Sequence, residues 1–316
     1  MKKILFVLSL LLTAPLAGCI DNASLDESPS GEEDPAVVRI LTYDIAAFSD
    51  SMFSTFTNQT GYEIEVVRAD DAGGILEKLL QTKEAPQVDL AIGLDNTYLQ
   101  SALDFNLLQQ HQTDVTMVSN TALEPYDGPF AVPFDRGDVC LNYDETRADG
   151  ENLTVPTSLW NLTEPQWNGV MAYPSPLTSS PGRAFMAATI DYFENDEDNT
   201  TDAFDWWKAI AENGAIFTSG WTEAYETHYS GGYGEWVEGH IGDAAMTVSY
   251  CHSPGVEAFY SSNWTKSTSL TLPRATFHQV EYAAVVNGAS EVGGANAFLA
   301  YLLSEEVNRN MPENNL

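Results

Sequence analysis

The stretch AVPFDRGDVCLNY, residues 131–143, is a long extended piece. With the isolated apolar run AAMTVSY at 244–250 it brackets a segment that carries secondary structure of its own. Inside the bracket, strands are predicted at 169–173 and 215–218 and helices near 182–193 and 203–212. Before it, strands at 37–43, 62–67 and 88–93 alternate with helices at 46–56, 74–81 and 96–103. Short apolar runs interleaved with amphipathic segments are the signature of βα units rather than of a β sandwich or a helical bundle. The reading is an α/β chain of two lobes, the second inserted between two passes of chain that cross a cleft. Lobe 1 is expected at 36–133 and 251–316 and lobe 2 at 134–250.

Composition supports a folded body. The 316 residues are 44% hydrophobic and 11% aromatic, enough for one large core or two modest ones. Forty-six acidic residues against thirteen basic ones give a net charge of −33, which repels nucleic-acid phosphates and anionic lipid surfaces. A nucleic-acid partner is therefore excluded. The charge itself reads first as a solvated surface.

The N-terminus has Lys2 and Lys3, then an apolar run over 4–17 that is too short for a permanent membrane span and reads as a signal peptide over 1–18. It ends in Leu16-Ala17-Gly18-Cys19, which resembles the lipobox of secreted lipoproteins and makes Cys19 the expected site of acylation. Residues 19–35 are acidic and polar and read as a flexible tether. Cys140 and Cys251 remain, in a compartment that tolerates disulfides; they can pair or lie as two core thiols. Sequons begin at Asn22, Asn58, Asn152, Asn161, Asn199 and Asn263, several of which chance alone supplies in so Asn- and Thr-rich a sequence.

Six words occur in order: Leu41-Thr42-Tyr43-Asp44, the run from Asp89 to Asn96, Val132-Pro133-Phe134-Asp135, Ser179-Ser180-Pro181-Gly182, Gly220-Trp221-Thr222-Glu223-Ala224-Tyr225, and Ser249-Tyr250-Cys251-His252-Ser253-Pro254. Together they resemble the thiamine-binding proteins of ABC importers, a branch of the two-lobed extracytoplasmic solute-binding proteins. The likeness runs from about residue 37 to the end, and the last two words are its most specific part. It implies a type II periplasmic-binding-protein-like fold with the ligand between the lobes. It also implies thiamine or its phosphates as ligand, no cofactor, an ABC permease and its ATPase subunit as partners, and a monomer held at the outer face of a membrane by its lipid anchor.

The resemblance also implies the site. Thiamine is a permanently cationic thiazolium joined to an aminopyrimidine, and aromatic faces with a few oriented acceptors suit it. Tyr43, Trp221 and Tyr250 match ligand-contacting aromatics, with Cys251, His252 and Ser253 in the last word. Asp71 and Ala72 match the family's Asp-Gly pair, where Asp71 also serves as a helix N-cap. Asp44 matches an acidic residue of the cleft wall, with capping of the following helix as its other role. Ser179 and Ser180 stand before a helix whose free N–H groups suit the hydroxyethyl or phosphate end, with plain capping as the alternative and Arg183 as a possible aid.

Two departures stand out. Asp50 occupies the position of a family tryptophan, with Phe48 and Phe53 as candidate substitutes. The chain also ends at Leu316, about where relatives carry a further tryptophan, and so reads as truncated. The alternatives to thiamine capture are binding of another cation, a polyamine or ferric ion, and turnover by a thiamine-degrading enzyme of the same fold, with Cys140 or Cys251 as nucleophile and Glu223 or Asp135 as base. The five histidines, His111, His228, His240, His252 and His278, lack close ligand spacing, so no metal site is expected.

Overall fold

The computed structural model describes residues 35–43, 48–195, 201–232, 242–261 and 266–314. The expectations for the signal peptide, Cys19, the tether, Asp44 and His240 lie outside them.

In chain order the strands are β1 (Val37–Tyr43), β2 (Glu63–Ala69), β3 (Leu90–Asp95), β4 (Val132–Asp144), β5 (Met171–Pro174), β6 (Ile216–Thr218), β7 (Met246–Tyr250), β8 (Ser267–Leu270) and β9 (Phe277–Val285). The helices used below are α1 (Asp50–Thr60), α2 (Ala72–Gln81), α3 (Leu99–Asp104), α4 (Ser180–Glu194), α5 (Ala203–Glu212), α6 (Ser253–Ser261) and α7 (Val292–Leu302). One sheet joins the strands in the order β2-β1-β3-β9-β4-β7-β5-β6, with β8 added on β4.

The first half is β2-β1-β3 with the C-terminal part of β9. All six residues of β3 are buried, because helices cover both faces of the sheet. On one face Phe56 of α1 packs edge-on against Phe298 of α7, and on the other Ile75 and Leu79 of α2 meet Leu99 of α3. Local chemistry sets the helix ends. Ser49 caps α1 by accepting from Met52 N, and Gly61 closes it at φ 79°, a left-handed conformation that glycine adopts without strain. The second half is built on β7, β5 and β6, with α4 and α5 packed through Phe185, Trp206 and Ile210.

β4 and β9 are long enough to serve both halves, and they pair antiparallel from Val132↔Ala283 to Val139↔Phe277. Beyond that β4 pairs with β7 and β8, so these two strands and α6 belong with the second half. The first crossing strand is the predicted one, observed over Val132–Asp144. The second is β9, not the run at 244–250, which forms an interior strand of the second half. The expected boundary at 250/251 therefore shifts to the start of β9. An interior strand and a crossing strand are alike in being short and apolar, and only pairing separates them.

Two bulges flank β9. Gly93 is the extra residue of β3, at φ 104°, and Phe134 is the extra residue of β4, turned into the core near Phe48. A Cβ on Gly93 would come within 2.4 Å of the Tyr43 ring. Gly93→Ala is expected to strain the bulge and push Tyr43 aside, lowering stability by about 1 to 3 kcal/mol in a denaturant melt. An unchanged melt would mean that the bulge relaxes freely.

Candidate functional site

A cleft of about 1020 Å³ opens over the crossing strands. The first half contributes Tyr43, Asp70 and Asp71, the crossing strands contribute Asp135, Gln279 and Glu281, and the second half contributes a wall of aromatic rings.

That wall grows from the Gly220-Trp221 word. After Gly220 the chain forms a π-helical segment, Glu223–His228, a rare geometry that concentrates at functional sites. Trp221 stacks on Tyr225 at 4.9 Å between centroids and 12° between planes, and its indole N–H donates to Ser249 Oγ at 2.8 Å. Tyr225 packs on buried Tyr229 and donates through its hydroxyl to Glu257 Oε1 at 3.0 Å. On the other side Trp221 meets Tyr250 at 6.4 Å, and Tyr250 stacks on His252 at 5.4 Å. Four rings, those of Tyr225, Trp221, Tyr250 and His252, thus run along one side of the cleft, with Tyr229 packed behind them and hydrogen bonds holding them in place. Burial raises the Tyr250 hydroxyl well above its usual range and lowers the His252 imidazole, so both are neutral near pH 7.

The two halves meet at Asp71. As N-cap of α2 it accepts from Ala72 N at 2.7 Å; its Oδ1 also accepts from Ser180 Oγ and its Oδ2 from Ser180 N, both at 2.7 Å. Ser180 begins α4, whose capping residue is Ser179, accepting from Gly182 N. A Cβ on Gly182 would lie 2.4 Å from Pro174 O, so the first turn of α4 is pressed against the end of β5. Burial outweighs the Ser180 and Ala72 hydrogen bonds and pushes the Asp71 carboxyl up to about 6.

The floor holds three carboxylates in one row across neighbouring strands. The bulges at Gly93 and Phe134 set Asp95 of β3 and Asp135 of β4 each opposite Glu281 of β9. Like charges directly opposite one another destabilise a sheet. Burial first, then Asp135 and Asp95, raise the Glu281 carboxyl well above the carboxylate range, and the neighbouring Tyr43 side chain offsets this in part.

Of the residues expected at the site, Tyr43, Asp71, Trp221, Tyr250, His252 and Ser253 line the cleft. Ala72 is buried in the first-half core, Ser179 and Ser180 are buried behind Asp71, and Cys251 forms a disulfide with Cys140, with 5.4 Å between Cα atoms. Both thiols that an enzyme reading needs are thereby joined. Phe48 and Phe53 sit in the first-half core with Phe134 and Phe298, rather than in the cleft where substitutes for the family tryptophan would stand. Arg183 lies 4.3 Å over the Tyr98 ring and does not line the cleft. Sequence reasoning passed over Gln279, Glu281 and Glu257. The one available signal for the first two was polar residues at alternate positions of an otherwise apolar strand.

A family model described as bacterial extracellular solute-binding protein matches residues 51–313. The thiamine-binding periplasmic protein of Escherichia coli K12 is 23% identical over 283 residues, covering 88% of this chain and 79% of that one. The protein of the same name from Salmonella typhimurium LT2 is 24% identical over 286 residues, with the same coverage. Among solved structures, a periplasmic thiamin binding protein superposes with a TM-score of 0.74 at 23% identity, covering 91% of this chain and 84% of that one. Both comparisons extend over both halves and the cleft.

The Asp71 carboxyl gives a pH signature. Folded, it takes its proton near pH 6; unfolded, near its ordinary 3.8. Between these values the folded state holds the extra proton, so stability rises as pH falls through the window. Asp71→Asn is expected to remove this gain, seen as a wild-type melting temperature that improves relative to the variant between pH 7.5 and pH 5. Parallel pH profiles would place Asp71 in a more solvated setting.

Proposed function

The chain belongs to the family of bacterial extracellular solute-binding proteins, and from that premise we propose that it captures thiamine outside the cytoplasm and delivers it to an ABC importer. The observation that carries the ligand is the row of rings from Tyr225 through Trp221 and Tyr250 to His252 standing over an acidic floor. A cation spread over a flat heterocycle gains from stacking and cation–π attraction in such a place, and an acidic floor favours the positive charge. The relatives named thiamine-binding support the same ligand.

In this reading Tyr43, Trp221 and Tyr250 sandwich the rings of thiamine, with His252, Ser253 and Asp71 beside them and no cofactor required. The hydroxyethyl or phosphate end lies toward the start of α4. There Ser180 already donates twice to Asp71, so a phosphorylated tail must displace that carboxylate, and the alcohol is the simpler guest. The work done is binding alone. The halves are joined by two crossing strands, and a ligand touching both shifts the population toward the closed form, which a permease with its ATPase subunit then recognises.

Anchoring completes the proposal: cleavage before Cys19 and acylation of its thiol leave a monomer tethered to the outer face of the membrane. Retention requires more than one acyl chain, since one alone binds only marginally. Mass spectrometry of the mature N-terminus should find a lipidated Cys19; an unmodified protein released into the medium would contradict the anchor.

Calorimetry with thiamine, spermidine and ferric citrate tests the ligand, and a silent thiamine titration would overturn the proposal. Trp221→Ala should weaken thiamine binding about tenfold or more, because lost stacking adds to a cation–π term of roughly 0.5 to 2 kcal/mol. Trp221→Phe should retain part of it. A variant that melts early yet binds normally would make Trp221 a packing residue only.

A further inference from the structure

Building on thiamine as the ligand, we propose that Glu281 is the counter-ion for its fixed positive charge and that Gln279 beside it accepts an N–H from its amino group. The pair sits where the crossing strands meet, on the face that lines the cleft. Gln279 is only 1% exposed. Its amide nitrogen donates to Glu281 Oε1 at 3.0 Å and to the Tyr250 hydroxyl at 3.3 Å, while its carbonyl oxygen Oε1 is buried without a hydrogen bond. Glu281 Oε2 is likewise buried without one. Two neighbouring buried oxygens without a hydrogen bond are a standing free-energy cost, of the kind a bound donor or cation relieves.

The surroundings specify the sign of the missing partner. Glu281 faces Asp95 from β3, Asp135 from β4, Asp71 from the start of α2, Tyr43 from β1 and Tyr250 from β7. The guanidinium among the described lining residues, that of Arg136, donates to Thr121 Oγ1 at 3.4 Å, while Asp70, Asp71, Asp135, Glu223, Glu257 and Glu281 contribute six carboxyl groups. A cation that enters over Glu281 relieves the repulsion along the row, whereas an anion adds to it.

A consequence distinguishes this assignment from ordinary ion pairing at a surface. In the empty site burial and the two flanking carboxylates oppose ionisation of Glu281 and favour its protonated form. Entry of a fixed cation favours the carboxylate, and the proton passes to buffer. Binding is then linked to proton release, and affinity rises with pH by up to tenfold per unit until Glu281 ionises in the free protein.

The test is calorimetry of the full mature chain with thiamine between pH 7.0 and 8.5, in two buffers of different ionisation heat. The wild type should release a proton and bind more tightly as pH rises. Glu281→Gln should bind at least tenfold more weakly, with neither the proton release nor the pH dependence. A thiamine analogue carrying oxygen in place of the amino group should bind the wild type more weakly, and Gln279→Ala should narrow that gap. Tight binding by the wild type with no proton release and a flat pH profile would overturn the role of Glu281 while leaving thiamine capture intact, and that measurement stands even where a variant fails to fold. Absence of any thiamine binding would overturn both.

Discussion

The antiparallel pairing of β4 with β9 is the constraint on which the rest of the molecule depends. These strands carry the sheet from one half to the other, so neither core can be placed without them. A continuous ladder is stiff along its hydrogen bonds, which suits a region that must hold two bodies in register. The bulges at Gly93 and Phe134 flank β9 where the ladder passes under the cleft, and each brings one carboxylate level with Glu281. The crossing and the cleft floor are thus shaped by the same backbone irregularities.

The cleft opposes two kinds of surface. Its aromatic wall is rigid because every ring from Tyr229 to His252 rests on another, and the Trp221, Tyr225 and Tyr250 polar atoms are tied to Ser249, Glu257 and Gln279. In its floor burial pushes the Asp95 and Glu281 carboxyls toward the neutral state, Glu281 further through repulsion by its carboxylate neighbours. Neither surface is stable by itself in the manner of a core: rings partly open to water and a Glu281 pressed by neighbouring carboxyl groups both gain from a bound cation. A flat organic cation satisfies the two together, which is the physical case for the proposed ligand class.

Asp71 joins the two halves. A single carboxylate caps α2 in the first half and receives two hydrogen bonds from the start of α4 in the second. Capping therefore occurs across the cleft as well as along the chain. The capping role open at Asp71 from sequence is the one observed, in a side chain that lines the cleft and reaches both its own helix and the opposite one. Ser179 and Ser180, by contrast, serve as a buried foundation behind it.

The sequence by itself determined the α/β class, most of the βα units before residue 104, the first crossing strand, and the helix over residues 203–212 to the residue, because those follow from periodicities and caps that are local along the chain. It also brought Tyr43, Asp71, Trp221 and Tyr250 to notice, through words that stay together in the chain. Only the tertiary structure decided that β9 is the second crossing, that Cys140 pairs with Cys251, that Phe48 and Phe53 are core, and that Glu281 stands between Asp95 and Asp135. Those carboxylates are separated by 40 and 146 positions in the chain and become neighbours through strand register and two single-residue bulges. Register is set by which long-range pairing buries the most apolar surface over the whole sheet, a global balance that no window of the sequence contains.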